Sequence, residues 1–244
     1  MNILPKRAAA LARKEIFTYL NSPAFYGVAV FFLLFCSIWL FNMNNFFVMN
    51  VATLRPYFAT FPLVFVIIIP ALTMKSWAEE RKTGSIELLL TMPLSEWDLV
   101  LGKFFACASL LAVMLALTIP LPLSLIPLGS FDFGVIVCEY IGALLLGSTA
   151  IALGLLMSSL SKNQAGSFLA CAALLLVFML IQQFTLSFDL PSWLGGFINF
   201  ISMTFHYESF ARGLIDSRDL FFYLLSTGLF LFLNTQVLLY RKWS

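Results

Sequence analysis

Six long stretches without a charged residue, at 16–54, 56–74, 104–131, 140–161, 163–188 and 220–240, govern what this 244-residue chain can fold into. A helix that crosses a hydrocarbon layer about 30 Å thick needs roughly 20 mostly apolar residues. Backbone in lipid must also satisfy its own hydrogen bonds, which a helix does. Each stretch has room for one such helix. Composition agrees, with 61% hydrophobic residues, 11% charged and a mean hydropathy of +0.96, where soluble domains carry about 25% charged residues. Six spans leave too little chain for a catalytic domain in water, and they exclude disorder or a secreted disulfide scaffold. Cys36, Cys107, Cys138 and Cys171 fall singly, without CxxC spacing, and read as small apolar side chains. The net charge of +2 follows membrane topology, not a nucleic-acid-binding patch.

The expected architecture is an all-α polytopic membrane protein with six transmembrane helices near 23–41, 59–74, 104–126, 135–157, 166–188 and 220–240. An even number of crossings puts both termini on one side. The N-terminus, the loops after spans two and four and the C-terminus together hold eleven Lys and Arg, against Arg55, Arg212 and Arg218 opposite. Basic residues are retained in the cytoplasm, so both termini are expected there. The uncharged segment 190–205 is rejected as a seventh span. It is short, is broken by Pro191, Gly195, Gly196 and Asn199, and is expected to be interfacial or re-entrant, with Trp193 at headgroup depth.

Residues 1–22 lack the apolar core and cleavage site of a signal peptide. At 100° per residue, Leu4, Ala8, Leu11, Ala12, Ile16 and Leu20 share one half of a helical wheel, with Lys6, Arg7, Arg13 and Lys14 opposite. That pattern predicts a helix lying in the membrane interface, ended by Asn21-Ser22-Pro23. Glu15 falls on the apolar side, where it either disturbs the stripe or pairs with a neighbouring basic residue.

Motifs for chemistry are missing. Gly102-Lys103 lacks the upstream glycine and following Ser or Thr of a phosphate-binding loop, and no zinc-peptidase or serine-hydrolase signature occurs. His206 with Glu208 gives at most two of the ligands a metal or acid-base site would need. In the last outer loop, 189–219, Glu208/Arg212 and Arg212/Asp216 stand at helical spacing. They predict an ordered helix that either docks an external partner or caps the bundle. Pro62, Pro70, Pro120 and Pro122 predict kinks. Small residues four apart in span four, among them Ala143/Gly147 and Ala150/Gly154/Ser158, predict close helix contact, within the chain or between copies. No charge falls at mid-depth, where proton-coupled carriers and channels place ionisable groups.

The most informative segment follows span two: Lys75-Ser-Trp-Ala-Glu79-Glu80-Arg81-Lys82-Thr83-Gly84-Ser85-Ile86-Glu87-Leu88-Leu89-Leu90-Thr91-Met92-Pro93. Its charges lead through Gly84 into a leucine-rich helix stopped by Pro93, which needs either a protein partner or lipid to cover it. This stretch, with Asp98-Leu-Val-Leu-Gly102-Lys103-Phe104, resembles the permease subunits of type-2 ABC transporters, and more narrowly those of gliding motility and nitrous-oxide-reductase copper maturation. Further matches are Lys14-Glu15 ahead of Ser22-Pro23 and the run from His206-Tyr207-Glu208 through Arg212-Gly213 to Asp216 and Asp219. Ser85 stands where the family more often has Thr. The likeness covers nearly the whole chain.

The resemblance implies a bacterial inner-membrane permease, residues 23–244, behind an N-terminal elbow helix, residues 1–22. It implies a second permease copy or homologue and two ABC ATPase subunits, which would hold ATP and Mg while this chain binds no cofactor. It leaves an external accessory subunit open. The 75–103 loop would supply a cytoplasmic coupling helix, with Glu79, Glu80, Arg81, Gly84, Glu87 and Leu88 making the ATPase contact. The chain itself would not be an enzyme. It would convert hydrolysis by its partners into export or mechanical signalling. Two other readings stand beside this one. In the first, an intramembrane lipid-modifying enzyme would use His206, Glu208, Asp216 and Asp219; the second is a passive scaffold.

Overall fold

The structure, a computed structural model, describes residues 4–43, 53–85, 95–125, 131–187 and 191–242. These residues form helices α1 (Leu4–Leu20), α2 (Pro23–Ile38, followed by a π-helical turn Trp39–Met43), α3 (Arg55–Phe58), α4 (Phe61–Thr73) and α5 (Lys75–Lys82). They continue with α6 (Glu96–Thr118), α7 (Pro120–Leu125), α8 (Phe133–Leu160), α9 (Gln164–Ser187), α10 (Ser192–Ile201), α11 (Met203–Ala211) and α12 (Ser217–Lys242). No strand occurs among the described residues. Six helical stretches are long and apolar enough to cross a membrane: Pro23–Asn42, Arg55–Lys82, Glu96–Leu125, Phe133–Leu160, Gln164–Gln183 and Ser217–Tyr240. This is the all-helical, six-span architecture that charge spacing predicts.

Spans two and four form the centre, each 72% buried, while the other four turn most of their residues outward. The fourth span, α8, packs on α4, α5, α6, α9, α11 and α12. Its small residues make this possible inside one chain. A Cβ on Gly147 would stand 2.3 Å from Leu111, and one on Gly154 2.3 Å from the Thr73 hydroxyl, so side chains of α6 and α4 pack directly on the α8 backbone there. At one end of the core, Tyr57, Phe58, Phe61 and Tyr140 interlock edge to face, with ring centroids 4.9–5.2 Å apart, a favoured aromatic geometry.

Local sequence sets the helix ends. Pro23 opens α2 after Ser22 in extended backbone, as Asn21-Ser22-Pro23 predicts. Ser95 and Asp98 form a capping box on α6, which satisfies backbone donors at both positions. Helix α6 therefore starts eight residues before the apolar interval at 104, and Lys103 lies inside it. Likewise α5 continues helical geometry to Lys82, so much less of 75–103 lies outside helices than charge spacing implies. The segment before the last span folds as two short helices, α10 and α11. With 10 residues α10 is about 15 Å long, too short to cross.

Candidate functional site

The charged groups converge at the end of the bundle where α1, α5, the start of α6 and the α8–α9 turn meet. Lys103, 2% exposed, points its ammonium at Glu80 (2.7 Å) and Glu15 (3.1 Å). It also donates to the Ser76 carbonyl at 2.9 Å and lies 4.8 Å from the centre of the Trp77 ring. A lysine this buried is tolerated only when its charge and its three donors are answered, and here they are. Glu15, the acid out of place on the apolar face of α1, pairs with a basic residue 88 positions away. Ala8 and Ala12 are buried and Arg13 and Lys14 exposed, and Gly102 lets α6 lie directly on Leu11.

A second set of bonds holds α5 to α8. Arg81 donates to the carbonyls of Ser161 (2.6 Å) and Ser159. Helices α4 and α5 meet at Met74, whose backbone keeps αR dihedrals (φ −56°, ψ −32°). There Ser158 donates to the Met74 carbonyl and accepts the N–H groups of Trp77 and Ala78. From the other side Tyr19 donates to the Leu72 carbonyl at 2.8 Å. Burial pushes the Tyr19 hydroxyl well above the usual tyrosine range, which keeps it a donor. Helix α5 ends at Gly84, whose φ of +72° suits only residues without a Cβ penalty. Beside these bonds lies a cavity of about 370 Å³ lined by Lys14, Glu15, Lys75, Glu79, Glu80 and Lys103, among others.

Of the six residues expected at the coupling contact, Glu79 and Gly84 are exposed. Glu80 and Arg81 turn inward, to Lys103 and to the α8 carbonyls. Glu87 and Leu88 lie outside the described residues, as does the leucine-rich segment. Sequence reading missed Lys103, Ser158, Tyr19 and Trp77 as parts of this corner. The misplaced Glu15 was one available signal.

The loop residues at the other end do not form one site. His206 is fully buried and pairs with Asp219, Nδ1 to Oδ1 2.6 Å, not with Glu208. Its Nε2 faces the Phe200 carbonyl at 3.1 Å, and Phe222 stacks on the ring at 3.9 Å. Glu208 instead accepts from Gln182 at 2.9 Å and meets Arg212 at 3.4 Å on the surface. The helical pairing expected of Arg212 with Asp216 does not form, because Gly213 ends α11 with φ +79°. Asp216 accepts the Arg218 N–H at 3.0 Å ahead of α12. Helix α11 caps the bundle: Met203, Tyr207 and Phe210 are buried, and Tyr207 donates to the Phe58 carbonyl at 3.2 Å.

These bonds join α1, α5, α6 and α8 at one end of the bundle. The family profile described as "ABC-2 family transporter protein" matches residues 9–235. The chain belongs to that family. It is therefore a multi-pass membrane permease component of an ABC transporter. A comparison with curated proteins gave no match. Within the permease, Lys103 lies buried among its partners while Glu79, Lys82, Thr83 and Gly84 at the end of α5 are exposed.

Proposed function

We propose that this permease is driven by separate ATPase subunits that dock on the end of α5, the Gly84 turn and the segment beyond it. The observation that carries the reading is Lys103, whose contacts with Glu15, Glu80 and Ser76 tie the interface helix α1, the docking element α5 and the third span into one unit. Arg81 adds the fourth span. A displacement imposed at Gly84 would then move four parts of the bundle together, the lever motion by which ATP-driven closure acts on a membrane. The apolar residues of 86–93 would give the contact area and Glu79 and Glu87 its register.

In this reading ATP and Mg sit on two partner subunits, the permease carries no hydrolytic chemistry of its own, and a second permease copy or homologue completes the transporter. Both termini face the cytoplasm of a bacterial inner membrane. Supporting this, ten basic residues remain on that side against three when buried Lys103 is left out, and basic residues are retained in the cytoplasm. The product of the stroke is export of an apolar or amphiphilic cargo, or mechanical signalling as in the gliding-motility and copper-maturation permeases that the loop resembles.

The test is purification from native membranes in mild detergent, with vanadate-sensitive ATP hydrolysis assayed on whatever accompanies the chain. A soluble ATPase should co-purify, and Glu87→Lys should uncouple its hydrolysis. A chain that purifies alone in every detergent overturns the proposal.

A further inference from the structure

Helices α4 and α8 both run from the Lys103 corner to the opposite end of the bundle, where a cavity of about 210 Å³ opens between the starts of the second and fourth spans. Its lining includes Thr53, Leu54, Arg55, Asp132, Val135 and Glu139. Glu139 is 0% exposed, yet neither carboxylate oxygen has a hydrogen-bond partner. A buried carboxyl group left without partners is among the costliest groups a fold can hold, and such an exception calls for a missing partner. Arg55, exposed on the same cavity, forms no salt bridge with the described residues. Asp132 uses Oδ1 on the Gly134 N–H at 2.9 Å. The cavity therefore brings together an exposed cation and a buried acid that form no salt bridge with each other.

We propose that this cavity binds a zwitterion with a primary ammonium and a phosphate a few bonds apart, the chemistry of a phosphoethanolamine headgroup, the ammonium on Glu139 and the phosphate on Arg55. A simple cation would leave Arg55 unanswered and be repelled by it. A simple anion would stand against Glu139 and Asp132. A primary ammonium has three N–H donors for the Glu139 oxygens and Asp132, whereas a quaternary ammonium has none. Arg55 offers the fork that matches phosphate oxygens. Glu139 is six residues beyond Phe133 in α8, about 9 Å along the helix, so the site lies near one end of the fourth span. The volume is several times the roughly 30 Å³ of one water, room for a headgroup with its acyl chains left in the bilayer. This site is independent of the ATPase-docking proposal, because it lies at the other end of α8 and needs no energy source.

The full chain is purified with an equimolar mixture of phosphatidylethanolamine, phosphatidylcholine and phosphatidylglycerol, and retained lipid is read by native mass spectrometry. Phosphatidylethanolamine should be retained preferentially, and Glu139→Gln and Arg55→Gln should each lower its retention about tenfold, the worth of a lost charged hydrogen bond. Soluble phosphoethanolamine forms the second arm: displacement of the lipid by it makes the free headgroup a sufficient ligand, and resistance makes the membrane lipid the source. Equal retention of the three lipids by the unmodified chain overturns the proposal, as does unchanged retention in both variants. If Glu139→Gln fails to fold, Arg55→Gln, at an exposed side chain, decides the matter alone, and unchanged retention there is disproof.

Discussion

Ser158 on α8 clasps the junction of α4 and α5 at Met74, 84 positions earlier in the chain, by donating its hydroxyl to the Met74 carbonyl at 3.3 Å. The same oxygen accepts the N–H groups of Trp77 and Ala78 at 3.1 and 3.3 Å, which uses the full capacity of a hydroxyl. Ser158→Ala orphans two buried donors and should cost about 1–3 kcal/mol. Ser109→Ala, at an exposed position whose hydroxyl bonds within its own helix, should stay within about 0.5 kcal/mol. Thermal unfolding of the detergent-purified chain compares the two, and equal effects would show that this clasp does not stabilise the junction.

Lys103→Met tests the ion cluster. It leaves Glu15 and Glu80 facing each other around an apolar side chain, a loss expected toward the lower end of about 3–5 kcal/mol because both acids keep some exposure. Adding Glu15→Gln and Glu80→Gln should recover part of the stability, since removing all partners costs less than stranding one. Recovery is read as a rise in unfolding temperature from the single to the triple variant.

Arg81 separates stability from coupling. Arg81→Lys keeps the charge and loses the fork that reaches two carbonyls at once. In the assembled transporter both Arg81→Lys and Arg81→Ala should let ATP hydrolysis continue with less transport per ATP, while unfolding shifts only modestly. A lysine variant with unchanged transport per ATP would show that the two-carbonyl clamp does not matter.

Two helical glycines should respond in opposite directions. Gly154→Ala drives a methyl to 2.3 Å from the Thr73 hydroxyl, overpacking worth about 1–3 kcal/mol. Gly228 on α12 has nothing within 4 Å of an added Cβ, so Gly228→Ala should stabilise the isolated chain by up to about 1 kcal/mol through helix propensity. Unfolding temperatures on either side of the parent value are the expected result.

The six spans were legible because lipid imposes a length and a charge rule on any sequence, and 220–240 or 140–161 could hardly satisfy it otherwise. The amphipathic face of α1 was legible for a similar reason, since one surface must meet apolar neighbours. Lys103 was misjudged because charge counting places every lysine in water, whereas its counter-charges come from Glu15 and Glu80, far off in the chain. The Ser95-x-x-Asp98 capping box was the local sign that the helix begins earlier and carries Lys103 inward. His206 went to Asp219 and not to Glu208 because α11 turns the two side chains to different faces, and Gly213 brings α12 back against the buried one. Pairings of this kind depend on how helices cross, which spacing along one strand of text does not encode.

The α4–α5 junction is fastened from two sides, by Tyr19 of α1 at the Leu72 carbonyl and by Ser158 of α8 at Met74, Trp77 and Ala78. Each fastener belongs to a different neighbour. Rotation of α5 against α4 would break hydrogen bonds to both. Under the proposed coupling, a push at Gly84 would therefore be passed on with little backlash.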